Sequence, residues 1–219
     1  MERIADAFAW PFRDPDWLPK VLVMGLILLI PVVGAMAGLG WMLAALDRLR
    51  AGEERLPPAN FRHLGRGFEL FVVYLAYYLA LLLVAALTYV PAVVILTSQS
   101  GDSPNGPLVG LGVALLVLTF SFLTLATLAM TFAMPALVLT FDEGGIGAGL
   151  RVNRVVRRAL RTPVNTLIGG LMLIAAGIVG QLGLIVCLIG VAFTQVYALA
   201  MQAWIIRSYE LGTAKVEET

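Results

Sequence analysis

Chemically competent side chains are sparse in this chain. His63 is its one histidine, so a two-histidine metal motif cannot be built. It sits between Arg62 and Leu64 in a short basic loop, a setting for a solvated or interfacial imidazole rather than a catalytic one. Cys187 is the one cysteine and lies in an apolar run, so no intramolecular disulfide can form. Asp142 and Glu143 are adjacent carboxylates, and such pairs can serve general acid–base chemistry. Their place just before Gly144-Gly145 suits another role, at the start of a following helix, where acidic groups meet the positive helix end. These residues imply no metal, no cofactor and no enzyme.

Neutral polar residues form two further sets. Thr124, Thr127 and Thr131 recur at helical spacing ahead of Pro135, and Gln195 and Gln202 lie seven residues apart. Either set could line a small polar path through a membrane. Such side chains more often hydrogen-bond to neighbouring helices, at about 1 kcal/mol each, and packing is the expected role. Thr131 is also placed to serve the carbonyl that Pro135 leaves without its helical donor.

The elements that must hold these residues follow from composition. Of 219 residues, 60% are hydrophobic and 13% charged, where soluble domains carry about 25% charged. Mean hydropathy is +0.91. A soluble fold of this length would lack the polar surface to cover itself, so lipid is the solvent and one membrane domain is expected. A net charge of +1 gives no electrostatic case for nucleic acid. The opening segment mixes Glu2, Asp6, Asp14 and Asp16 with Arg3 and Arg13, unlike the basic start of a cleaved leader, and is expected to be retained.

Charged residues delimit the apolar runs. There are 26 uncharged residues between Lys20 and Asp47, 32 between Glu69 and Asp102, 39 between Asp102 and Asp142, and 45 between Arg161 and Arg207. A membrane helix needs about 20 residues. The second and third runs predict single spans near 70–96 and 108–140. The fourth would reach about 68 Å as one helix, more than twice the hydrocarbon thickness, so it must fold back. Gly180 to Gly183 or Cys187 to Gly190 offer the turn, with spans near 164–180 and 183–206. The first run, 18–46, has Pro31 in its middle and predicts either one kinked span or a re-entrant hairpin.

Basic residues favour the hairpin. Arg48, Arg50, Arg55, Arg62 and Arg66 cluster in one loop, and Arg151, Arg154, Arg157, Arg158 and Arg161 in another, while residues 98–107 carry none. Cytoplasmic loops hold the excess of Lys and Arg. With a first hairpin and a folded fourth run, all fifteen basic residues and both termini fall on the cytoplasmic side. A single first span would place Arg3, Arg13 and Lys20 outside. The expected architecture is an all-α polytopic transmembrane bundle, with a kinked or re-entrant N-terminal segment, about four full spans and a cytoplasmic amphipathic helix.

That amphipathic helix is predicted over 147–161. Arg151, Arg154, Arg158 and Arg161 share one face of its wheel, and Val152, Val156 and Ala159 the opposite one. Such a helix lies in the interface with arginines at the headgroups, each gaining about 1 kcal/mol near an anionic leaflet. Anchoring is the default reading. A site for lipid headgroups or a partner membrane protein is the functional one.

The opening Phe12-Arg13-Asp14-Pro15-Asp16-Trp17-Leu18 leads to Ile30-Pro31-Val32-Val33-Gly34, then Leu39-Gly40-Trp41, Arg48-Leu49-Arg50, Gly52-Glu53-Glu54, Leu56-Pro57 and Gly67-Phe68. This order resembles the domain of unknown function 4013 family of bacterial and archaeal membrane proteins, most clearly over the first third of the chain. Trp41 stands where the family pattern would have Tyr. The resemblance implies a multispanning helical membrane protein and brings no activity, substrate or catalytic residue.

A non-enzymatic scaffold or accessory subunit that binds lipids or partner membrane proteins is therefore expected. The alternative is a transporter or channel for a small solute or lipid. No ionisable side chain falls deep in a predicted span, which argues against proton coupling. Gly34-xxx-Gly38 permits close helix approach and, with it, self-association.

Overall fold

A computed structural model describes residues 4–101, 105–185 and 188–217. Arg3, Asp102, Cys187 and the Lys215 side chain lie outside the described residues. Among these residues, two 3-10 turns, Ile4–Phe8 and Trp10–Arg13, precede seven α-helices: α1 Trp17–Leu28, α2 Val33–Arg50, α3 Leu64–Ser98, α4 Gly106–Gly149, α5 Val152–Arg161, α6 Pro163–Gln181 and α7 Leu188–Glu217. No strand occurs among the described residues. Among the described residues, four helical stretches are long and apolar enough to cross a membrane, namely Leu64–Ser98, Gly106–Gly149, Pro163–Ile185 and Ile189–Ala214. The protein is a multispanning all-α membrane protein.

The first apolar run is a hairpin. Pro31 and Val32 break it, with Val32 at φ 64, a conformation that a β-branched residue rarely adopts. Helix α1 is about 18 Å long at the standard rise, too short to cross the hydrocarbon core. The ends of the hairpin meet at one atom: Lys20 Nζ and Arg48 Nη1 donate to the Leu56 carbonyl at 3.0 and 3.2 Å. Lys20 therefore lies at the same end as Arg48, as the hairpin reading requires. The Gly34/Gly38 pair is used within the chain. A Cβ on Gly34 would meet the α1 backbone at Leu28, and one on Gly38 would meet Leu28 and Leu199.

Asp14 closes this end. Its side chain is 1% exposed. It accepts from Lys20 Nζ at 2.6 Å and from the backbone N–H groups of Leu56 at 2.8 Å and Asp16 at 3.0 Å. Burial works to raise its pKa, but these donors outweigh it and hold the carboxyl below the usual carboxylate value. A group so depressed stabilises the fold above its unfolded-state pKa, and that contribution fades as pH falls through the folded value. Asp14→Asn is expected to lower the unfolding midpoint at pH 7, and the gap to wild type should close below about pH 4. Unfolding in detergent across pH 7 to 3 measures this, and a gap independent of pH would refute it.

Contacts divide the chain into two compact units, Met1–Val73 with Thr131–Thr219, and Tyr74–Met130. In the first, α1, α2 and α6 pack on α7, whose Val196, Ala200, Ala203 and Ile206 are fully or almost fully buried. The N-terminal turns dock on the same helix. The Trp10 indole donates to the Ala200 carbonyl at 3.2 Å and stacks on Trp204 at 5.7 Å. The second unit pairs parts of α3 and α4 through a hydrogen bond of 2.7 Å between the Thr88 and Thr119 hydroxyls. Leu83, Leu87 and Leu125 there are 68%, 71% and 66% exposed, a surface suited to hydrocarbon.

Several boundaries differ from expectation. Helices α3 and α4 run beyond 70–96 and 108–140, because polar and glycine residues at their ends continue the backbone ladder. Helix α4 continues through Pro135 and breaks at Gly144-Gly145, where Gly145 takes φ 66. Helix α7 starts at Leu188 rather than at 183, since Leu182–Ile185 is a 3-10 turn. Gly183 and Gly190 lie so close across this turn that a Cβ on Gly190 would stand 2.6 Å from the Gly183 carbonyl oxygen. The basic helix starts at Val152 rather than 147, since Gly147 belongs to the end of α4.

Candidate functional site

Charge gathers at one end of the first unit. Helix α2 ends with Asp47 and Arg50, which form an i,i+3 pair at 3.5 Å. Arg50 also reaches α7, where its Nη2 and Nε donate to Glu210 at 2.8 and 3.1 Å. Its Nη1 donates to Asp142 of α4. Arg66 of α3 bridges Asp47 and Asp142, and Arg207 holds the far side of Glu210 at 2.7 Å. Four helices are thus tied by six side chains. Burial opposes the charged form of Arg50, yet its hydrogen bonds to Glu210 and Asp142 raise its pKa above the ordinary arginine value.

Beside this network lies a cleft of about 1140 Å³. One wall is α5, with Arg151, Arg154, Arg157, Arg158 and Arg161 on its lining. The α4 and α7 ends supply Thr140, Glu143, Glu210 and Thr213. The helix is held by burial of Val155 and Ala159, 2% and 7% exposed, and by the Tyr209 hydroxyl donating to the Arg158 carbonyl at 3.4 Å. Val152, Val156 and Leu160 remain exposed, at 55%, 43% and 69%. The face packed inward is therefore the Val155/Ala159 edge, which leaves three apolar side chains open.

The arginines of the cleft are not equivalent. Arg158 Nη1 pairs with Glu143 Oε2 at 2.7 Å. Arg151, Arg154 and Arg157 have no carboxylate partner among the described residues. Thr162 also lines the cleft. It occupies the N-cap position of α6, followed by Pro163, yet its side chain makes no capping hydrogen bond. Its Oγ1 is buried with no partner among the described residues, and a hydroxyl in that state costs about 1–3 kcal/mol.

The other sequence-derived candidates lie elsewhere. Thr124 and Thr127 are exposed on α4, in the second unit, while Thr131 is half-buried in the first. Gln195 and Gln202 are half-buried on α7, with the Gln195 amide against Gly180 of α6. None of the five lines the α5 cleft. Asp142 does not serve the start of α5. It is tied to Arg50 and Arg66, because the Gly144-Gly145 break turns the chain after it. Half-buried His63 is held below the usual imidazole value by burial and by Arg62 and Arg66, which favours its neutral form. No group of three or more metal-ligating side chains gathers among the described residues. The parts that sequence reading missed are Asp47, Arg66, Glu210 and Thr162. An i,i+3 spacing was visible for Asp47/Arg50 and Arg207/Glu210, but nothing local points from Glu210 to Arg50.

Residues 23–203 match the family described as protein of unknown function (DUF4013). Neither the curated proteins nor the solved structures give a match. The match takes in α2 to α6, including every arginine of the cleft wall. The chain belongs to the DUF4013 family of proteins of unknown function.

Proposed function

We propose that this protein is a non-enzymatic membrane scaffold or accessory subunit that holds anionic lipid headgroups at the arginine-lined end of its first unit. In this reading that end faces the cytoplasm, as the excess of basic residues favours, and both termini lie there. The observation that carries the proposal is the set Arg151, Arg154 and Arg157, which line one cleft without a carboxylate partner among the described residues. Surface cations usually face water, but here Val152, Val156 and Leu160 are exposed on the same short helix. A helix with open apolar and basic residues belongs at a bilayer interface.

Lipid retention tests it. Protein purified from native membranes in mild detergent is expected to retain anionic over zwitterionic phospholipid, read by mass spectrometry of the intact complex. The triple substitution Arg151→Gln, Arg154→Gln and Arg157→Gln should cut that retention at least about tenfold, at about 1 kcal/mol per cation. Equal retention by wild type and triple variant would defeat the proposal.

A further inference from the structure

We infer that the α5 cleft takes a terminal phosphate, a phosphomonoester or diphosphate carrying about two negative charges, in preference to a phosphodiester. This rests on the anionic-headgroup reading above and names its chemistry. Two independent observations lead to it.

The first is charge balance. Glu143 is engaged by Arg158, and Glu210 is engaged by Arg50 and Arg207 on its other side. Arg151, Arg154 and Arg157 are left with no carboxylate among the described residues. A phosphodiester brings one negative charge and two free oxygens, which leaves most of this charge unmatched. A terminal phosphate brings close to two charges and three acceptor oxygens, enough to engage more than one planar guanidinium through paired hydrogen bonds.

The second is Thr162. It is 7% exposed, lines the cleft and leaves its Oγ1 without a hydrogen-bond partner among the described residues. A threonine at an N-cap ordinarily spends its oxygen on the first helical turn, and this one does not. Its O–H is a spare donor for one phosphate oxygen. The cleft volume, about 1140 Å³, leaves room for the group that bears the phosphate. Flanking Arg161 and Thr162 in the chain, Leu160 on α5 and Val164 and Leu167 on α6 are 69%, 67% and 53% exposed. They offer a path for an acyl or isoprenoid chain, so the ligand we assign is a lipid with a terminal phosphate.

The test uses full-length protein in phosphatidylcholine nanodiscs doped with phosphatidic acid, a phosphomonoester, or with phosphatidylglycerol, a diester, at matched surface charge. Bound lipid is counted by mass spectrometry after release into detergent. Retention of phosphatidic acid about tenfold above phosphatidylglycerol is expected, since added hydrogen bonds to a charged group are worth that factor or more. Thr162→Val should reduce phosphatidic acid retention about tenfold, while the lipid-free unfolding midpoint stays the same or rises, because the unpaired hydroxyl is gone. A fall in that midpoint with no change in retention would overturn the role of Thr162. Equal retention of the two lipids, both lost in the triple arginine variant, would overturn the phosphomonoester inference and leave the scaffold reading standing. No retention of either would sink both. Inorganic pyrophosphate is the tail-free arm. Displacement of the lipid by pyrophosphate at equal concentration would support the terminal phosphate but overturn the lipid as its source, in favour of a soluble phosphorylated compound.

Discussion

Replacing Arg50 with methionine is expected to lower the unfolding free energy by about 3 kcal/mol, the low end of what removing one member of a buried charge cluster costs. Arg50 is 27% exposed, while its partner Asp142 is only 10% exposed, so water recovers part of the loss at one end and little at the other. The guanidinium donates to Glu210 through two nitrogens and to Asp142 through a third. Without it, two carboxylates are left near each other on α4 and α7. Lysine at position 50 should rescue only partly, because one ammonium cannot serve both carboxylates in the fork geometry. Adding Glu210→Gln to Arg50→Met should cost less than the two single changes summed, since the pair shares one interaction. Denaturant unfolding in detergent provides the measurement, with the exposed Arg55→Met as comparator, expected within about 0.5 kcal/mol of wild type. If Arg50→Met and Arg55→Met unfold alike, the network does not tie the helices.

A second large effect separates two glycines of α3 that lie two residues apart. A Cβ on Gly67 would overlap the Met36 carbonyl oxygen and stand 2.6 Å from the Gly40 backbone nitrogen. A Cβ on Gly40 would overlap the His63 carbonyl. Helices α2 and α3 therefore cross backbone to backbone, and the obstructing atoms cannot rotate away as a side-chain tip can. Gly67→Ala is expected to destabilise by at least about 3 kcal/mol, the upper range for an overpacked site. Gly65 has nothing within 4 Å of its would-be Cβ, so Gly65→Ala should be neutral or stabilising by up to about 1 kcal/mol. Monodisperse yield and unfolding midpoint of the two variants decide it. A Gly67→Ala protein as stable as Gly65→Ala would mean that the helices do not approach so closely.

The same contrast marks the limit of local reading. Gly65 and Gly67 share a helix and a residue type, and no pattern in the chain distinguishes them. Their difference comes from α2, whose own course depends on the break at Pro31-Val32. Pro31 made a kink or break legible there, since proline removes a backbone donor, but α4 continues through Pro135, so the residue type alone does not tell a break from a kink. The choice between kinked span and hairpin was weighted by the side on which Arg3, Arg13 and Lys20 would fall; the hairpin itself is seen in the Lys20 and Arg48 side chains meeting at the Leu56 carbonyl. The ends of α4 and α7 were less legible. Hydropathy marks where lipid-facing residues stop, and a helix ends instead where its hydrogen bonds do. Thus α4 runs through Asp142 and Glu143 to its break at Gly144-Gly145.

For the site, the arginines of α5 could be read from spacing, but their inequality could not. Arg158 differs from Arg154 because Glu143 reaches it across the Gly144-Gly145 break. Nothing in the sequence singled out Thr162, and its unused hydroxyl is visible only once the walls of the cleft are assembled.

Composition and charge spacing alone dictate a multispanning helical protein with its basic residues held apart from its apolar runs. The cause is short-ranged: each span must satisfy its own backbone in lipid, and each charge must stay out of it. Which acid meets which base is settled by helix packing, as when Arg50 finds Glu210 across 160 positions of sequence. A pairing at that separation depends on the crossing of whole helices, and no local pattern encodes it.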